Sequence, residues 1–122
     1  NNSALDSFVM KERVEESATT KPRTVEVRVM TIDKLAAELQ LERVNFIKMD
    51  IEGAERNALR GGTETIRRYR PRMAIATENL DDDYLVVPKV IAGIDSKYRS
   101  ACGRCITKGV ALIRPEVLYF EP

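Results

Sequence analysis

The residues that could do chemistry gather around Lys48-Met49-Asp50-Ile51-Glu52-Gly53-Ala54-Glu55, with Glu78 and Asn79 downstream. An apolar run, Val44, Phe46, Ile47 and Met49, leads into Asp50; a glycine and a helical pattern follow. That order predicts a buried parallel strand, a tight turn and a helix. Ligands of open α/β sheets bind outside the carboxyl ends of the strands. Asp50 falls at such an end, so its carboxylate is a candidate for the floor of a site, with Glu52, Gly53, Glu55 and Glu78 as binding candidates. The alternative for Asp50, Glu52 and Glu55 is plain helix capping and first-turn electrostatics. Gly53 has a structural reading too, as the residue that frees the backbone at the turn. Lys48 would serve as a general base if burial depressed its pKa; otherwise it pairs with a carboxylate such as Glu78. Asp50, Glu78 and Asn79 are hard oxygen ligands of the kind a divalent cation takes. Two carboxylates sharing an open crevice is the simpler reading, and no metal is expected. The chain has no histidine, which removes His general bases, Ser-His-Asp and Cys-His sites and His-ligated metals from this chain. Lys48, Asp50 and Glu78 remain as the base candidates.

These residues need elements to hold them. Residues 1–23 are charged and then linker-like, and are expected to be a poorly ordered tail or loop. Thr24–Met30 alternates Val25, Val27 and Val29 against Glu26 and Arg28, which predicts a half-exposed strand near a sheet edge. Thr31-Ile32-Asp33 starts a helix whose stripe is Ile32, Leu35, Ala36 and Leu39. The central strand, Val44–Asp50, lacks clean alternation, as expected when both faces are covered. A helix from about Glu52 to Arg60 ends at Gly61-Gly62, and Thr63 is placed to cap a second one through Tyr69. Pro71 ends that helix, and Arg72–Glu78 is the next strand. A strand–helix–strand unit of this length makes the two strands parallel, with Asp50 and Glu78 at one end of the sheet. After Asp81-Asp82-Asp83 comes a short helix carrying Leu85, Val87, Ile91 and Ile94, with Pro88 expected in its first turn. Strands are expected over Ser100–Thr107, Gly109–Arg114 and Val117–Phe120, with at least one antiparallel pairing.

The totals exclude more than they assign. A length of 122 residues suits one domain, and 43% hydrophobic residues is ordinary for a globular one. A net charge of +1 argues against nucleic-acid and anionic-membrane partners. No apolar run reaches the length of a spanning helix. Asn1-Asn2-Ser3-Ala4 is neither a signal peptide nor an initiating Met, so the chain is expected to begin within a longer protein or after processing. Two cysteines do not make a disulfide scaffold, and a cytoplasmic location is the default. Cys102-Gly103-Arg104-Cys105 reads as two thiols around a turn, with a zinc shared between copies or a labile disulfide as alternatives. The basic run Arg67-Arg68-Tyr69-Arg70 reads as cations at a helix C-terminus rather than a phosphate site.

Val29-Met30-Thr31-Ile32-Asp33-Lys34-Leu35, Lys48-Met49-Asp50-Ile51-Glu52-Gly53-Ala54-Glu55, Leu59-Arg60-Gly61-Gly62 and Arg70-Pro71-Arg72 together resemble the FkbM family of methyltransferases, in order and spacing, over about residues 24–80. Gly62 departs mildly from the family's usual Ala. The resemblance implies a Rossmann-like class I methyltransferase fold, α/β, of which this is the C-terminal half: a mostly parallel sheet with antiparallel C-terminal strands, in a domain over 24–122. It implies methyl transfer from S-adenosylmethionine, as O-methyl transfer to a small molecule or sugar hydroxyl, and agrees with the position of Asp50 in the floor of the site; Asp50 and Lys48 are the catalytic candidates. Such domains hold the cofactor on an earlier Gly-rich strand–turn–helix, and no such turn occurs here; Gly61-Gly62 follows a helix instead. The chain by itself is therefore expected to bind the cofactor poorly and to be inactive. The alternative is a non-catalytic fragment or interaction module that self-associates through an exposed sheet edge.

Overall fold

The computed structural model describes residues 26–108 and 112–122 and forms the expected strand–turn–helix–strand unit. Asn1–Met30 and Thr31–Pro122 are separate compact units. Of the first, Glu26–Met30 form no strand or helix. The strand expected over Thr24–Met30 is thus not formed in its described part, because period-two alternation supplies a face but not the neighbouring edge that a ladder requires. Thr24, Val25, the tail over 1–23 and the first three residues of the strand expected over Gly109–Arg114 lie outside the described residues.

The second unit runs α1 (Ile32–Glu38), β1 (Phe46–Met49), α2 (Glu55–Arg60), α3 (Thr63–Tyr69), β2 (Arg72–Ala76), α4 (Asp83–Ile94), β3 (Arg99–Cys102), β4 (Cys105–Lys108), β5 (Leu112–Pro115) and β6 (Val117–Glu121). Thr31 caps α1, its hydroxyl accepting the Lys34 N–H at 3.1 Å. Thr63 does not cap α3 as expected. Its hydroxyl donates to the Arg60 carbonyl at 2.8 Å, and the N-cap position is Gly62. A Cβ on Gly62 would stand 3.1 Å from the Ile32 δ-methyl, so the missing side chain lets α1 seat flush on the break. Pro88 lies inside the twelve-residue α4, not in its first turn. The helix begins earlier than the apolar stripe suggested, because Asp83 anchors its first turn.

β1 and β2 pair in parallel, with Met49 opposite Ile75. The four-stranded sheet has the order β1-β2-β6-β3, and β6 is antiparallel to both its neighbours. β1, β2 and β3 therefore point one way, yet only one neighbouring pair is parallel, so the sheet is mixed rather than mostly parallel. The cause is a hairpin whose return strand inserts beside β2. β4 pairs with β5, Cys105 opposite Pro115, in the register that β3 keeps with β6. The Gly103 N–H donates to the Val117 carbonyl at 3.0 Å and the Glu116 N–H to the Arg104 carbonyl at 2.8 Å, which bridges the gap between the two ladders. Cys102 and Cys105 consequently sit along one extended segment, not around a turn.

Residues facing each other across the ladder share a sheet face. Met49, Met73, Ile75, Leu118 and Phe120 pack on Leu59, Ile66, Val87, Ile91 and Ile94 from α2, α3 and α4. The opposite face carries the exposed Phe46, Lys48, Arg72 and Tyr119. Among the described residues β1 is thus an edge strand with one covered face, where two covered faces were expected. Beside it, Ile32, Leu35, Leu41, Val44, Ile47 and Ile51 line an apolar groove of about 370 Å³.

Candidate functional site at the carboxyl end of the parallel strands

The parallel register brings the ends of β1 and β2 to one edge of the sheet, so Asp50 and the Thr77–Asn79 segment share that edge, as expected. Asp50 is exposed, directly after Met49, and lies in no helix. The next residues turn sharply. Glu52 has φ 55° and Gly53 φ 94°, and the Ala54 N–H returns to the Ile51 carbonyl at 3.2 Å. Two left-handed residues in succession are the signature of a type I′ turn. Glu52 is thus a turn residue, not a first-turn helical acid, and α2 starts only at Glu55.

Glu55 is fully buried. Its Oε1 accepts the Ile51 N–H at 2.8 Å and an Asn79 side-chain N–H at 3.1 Å. Its Oε2 is buried with no hydrogen-bond partner among the described residues. The adjacent Arg56 reaches the other way, donating from Nε to Asp83 Oδ1 at 2.6 Å and from a terminal nitrogen to Asp82. The Arg56 hydrogen bond holds the Asp82 carboxyl below the usual carboxylate range. Asp83 is itself buried, and its Oδ2 accepts the Leu80 N–H at 2.9 Å. The first turn of α2 therefore fastens the β1 turn, the segment after β2 and the start of α4 to one another.

The far wall comes from β5 and β6. The Thr77 N–H donates to the Glu116 carbonyl and its hydroxyl to the Pro115 carbonyl, both at 2.8 Å. Arg114, 4% exposed, donates to the Asp81 carbonyl and to Asp81 Oδ1, and its guanidinium lies 5.7 Å from the centre of the Tyr84 ring.

Of the site residues expected from sequence, Asp50, Glu52, Gly53 and the half-buried Glu78 lie together at this edge. Lys48 stands exposed on the uncovered face. The burial on which a lysine base depends is not supplied by the described residues. Sequence reasoning missed Arg56, Thr77, Asp83 and Arg114. Only Asp83 left a local signal, an acid placed to reach back three residues at a helix start. No three Asp, Glu or Cys side chains cluster as a metal site would require, and no helix is long and apolar enough to cross a membrane, among the described residues.

The basic run is taken up elsewhere. Arg67 donates to the Ile94 carbonyl at the end of α4 at 3.3 Å, and Arg70 pairs with Asp95 at 3.0 Å. Arg67 and Arg68 lie in the last turn of α3, as expected, and Arg67 and Arg70 complement the C-terminal end of α4 as well.

The family model of the methyltransferase FkbM domain matches residues 2–91. A crystal structure of methyltransferase FkbM from Methylobacillus flagellatus KT superposes with a TM-score of 0.63 at 29% identity, over 77% of this chain and 23% of that one. The chain thus spans about a quarter of that relative's length. No curated protein matches its sequence significantly.

Proposed function

The chain belongs to the FkbM methyltransferase domain family, and we propose that it forms the acceptor-side half of a Rossmann-like methyltransferase that takes its methyl group from S-adenosylmethionine and passes it to a hydroxyl of a small molecule or sugar. The observation that carries this reading is the exposed Asp50 at the carboxyl end of β1, beside the end of a parallel β2, in a chain whose sequence matches the family over residues 2–91.

The described residues meet the cofactor's needs only in part. The turn after β1 is no cradle for the methionine carboxylate. Its Ile51 and Ala54 N–H groups are already taken, by Glu55 and by the Ile51 carbonyl, and Asp50 and Glu52 would repel an anion. No second described strand presents an acid with a Gly-rich turn before it. S-adenosylmethionine therefore needs a further layer, and the β1 edge that no described strand covers, the face carrying the exposed Phe46 and Lys48, and the apolar groove are where one would dock. What these residues do offer is a carboxylate open to a hydroxyl. Methyl transfer to oxygen asks for alignment and removal of one proton, and the exposure of Asp50 at the strand end supports giving it that role in a chain without histidine.

The β1 edge, left open by the described strands and with Phe46 53% exposed, favours a second reading: a non-catalytic module that pairs with another copy there. Titration of S-adenosylmethionine into the intact protein by calorimetry separates the two. Saturable binding supports the enzyme; no binding, together with a concentration-dependent dimer in light scattering, supports the module.

A further inference from the structure

We infer that Glu55 is a positioning residue for Asp50, joined to Asn79 in a latch across the ends of β1 and β2; this rests on the methyl-transfer reading of Asp50. Glu55 cannot touch a ligand where it lies, because it is fully buried. Its Oε1 instead takes the Ile51 N–H at 2.8 Å. That N–H belongs to the peptide plane following Asp50, so the bond fixes the plane from which the Asp50 side chain departs. The same oxygen takes an Asn79 side-chain N–H at 3.1 Å. The β1–β2 ladder ends at Met49 and Ile75, and beyond it Glu55 ties the residue after Asp50 to Asn79.

The latch also restrains an unfavourable backbone. Glu52 at φ 55° and Gly53 at φ 94° lie between the two residues it joins on the chain, Ile51 and Glu55. A non-glycine residue such as Glu52 persists in the left-handed region only where surrounding contacts over-determine it. Adjacent Arg56 adds the clamp to Asp82 and Asp83, so loosening Glu55 frees the β1 end while the start of α4 stays held.

The test compares Glu55→Gln, Glu55→Ala and Asn79→Ala in the intact protein. Gln keeps a carbonyl oxygen where Oε1 accepts both bonds, so it should retain kcat within about threefold. Ala removes the acceptor. A displacement of about 1 Å costs about a hundredfold in rate, so Glu55→Ala should lose kcat by about that factor with KM for S-adenosylmethionine nearly unchanged. Asn79→Ala should fall between. Two results overturn the inference: Gln as inactive as Ala, which would make the charge itself the working part, or full kcat in Ala with only a lower melting temperature. If the wild-type protein transfers no methyl group, the functional reading fails separately, and hydrogen exchange at the Ile51 amide still decides the latch. Protection in wild type and Gln but not in Ala supports it; equal exchange in all three overturns it.

Discussion

The carboxylate of Asp33 accepts the Thr65 N–H at 2.8 Å and the Glu64 N–H at 3.1 Å, so α3 is capped from α1 rather than by its own sequence. The Asp33 N–H in turn donates to the Gly61 carbonyl at 2.9 Å. The Thr-Ile-Asp start and the Gly-Gly break, far apart in sequence, are two halves of one clasp. Replacing Asp33 by Ala should lower stability by about 0.5–2 kcal/mol, the ordinary worth of an N-cap. Denaturant unfolding measures this, and an unchanged midpoint would show that the clasp contributes nothing.

The strained turn after Asp50 gives a test by sign. Glycine at an ordinary exposed position costs about 0.5–1 kcal/mol, whereas a non-glycine residue in the left-handed region costs about 1–2 kcal/mol. Glu52, at φ 55°, should therefore tolerate Glu52→Gly without loss of stability or with a small gain. Gly53→Ala, at φ 94°, should lose about 1 kcal/mol or more. Thermal melts of the pair check both, and a clear loss in Glu52→Gly would remove the strain. If Glu52 also contacts a ligand, the stabilised variant will bind less well.

Stability should depend on pH through Tyr98 and Asp95. Burial pushes the Tyr98 hydroxyl up to about 12, with Asp95 assisting and Arg70 opposing, and the hydroxyl donates to the Pro71 carbonyl at 2.7 Å. The folded protein thus keeps a proton that the unfolded chain releases near 10. This contribution is whole below pH 10 and is lost as pH rises through about 12. The Lys97 backbone N–H, with Arg70 adding, holds Asp95 below its ordinary 3.8. Its contribution is present above that value and is lost as pH falls through the folded one. Tyr98→Phe should flatten the alkaline limb of a melting-temperature profile, and Asp95→Asn the acid limb; a wild-type slope retained in either variant contradicts the assignment.

Cys102 and Cys105 are exposed free thiols on one extended segment. Three residues of strand span about 10 Å, whereas a disulfide needs Cα atoms about 4.4–6.8 Å apart. Oxidised glutathione should therefore give mixed disulfides at both positions. Mass spectrometry of the oxidised protein, finding an internal bridge as the main product, would show that the segment does not stay extended.

What the sequence carried was local. The β1–turn–α2 unit, α3 and β2 follow from apolar runs, glycines and Pro71, each of which acts within a few residues. Four features escaped because they depend on partners distant in the chain. The Asp33 cap of α3 joins residues some thirty apart, and the Glu55–Asn79 contact joins the start of α2 to the loop after β2. Arg114 becomes buried only because β5 returns beside Asp81. The alternation of Val27 and its neighbours found no ladder among the described residues. Pro88 misled for a different reason: proline favours a first turn, but the Asp83 contacts started α4 a turn sooner. At the site, Asp50 was legible as the end of an apolar run, while the exposure of Lys48 was not, because it depends on which sheet face the helices cover.

The most direct measurement is transfer of labelled methyl from S-adenosylmethionine by the intact protein and its Asp50→Asn variant, across a panel of hydroxyl acceptors. Asn keeps the shape of the side chain and removes its capacity to take a proton, which general-base catalysis values at about 10²–10⁴-fold. The expected result is transfer by the wild type and a loss of that order in the variant, with cofactor affinity retained. Equal rates in the two proteins would contradict a role for the β1 carboxylate in the reaction.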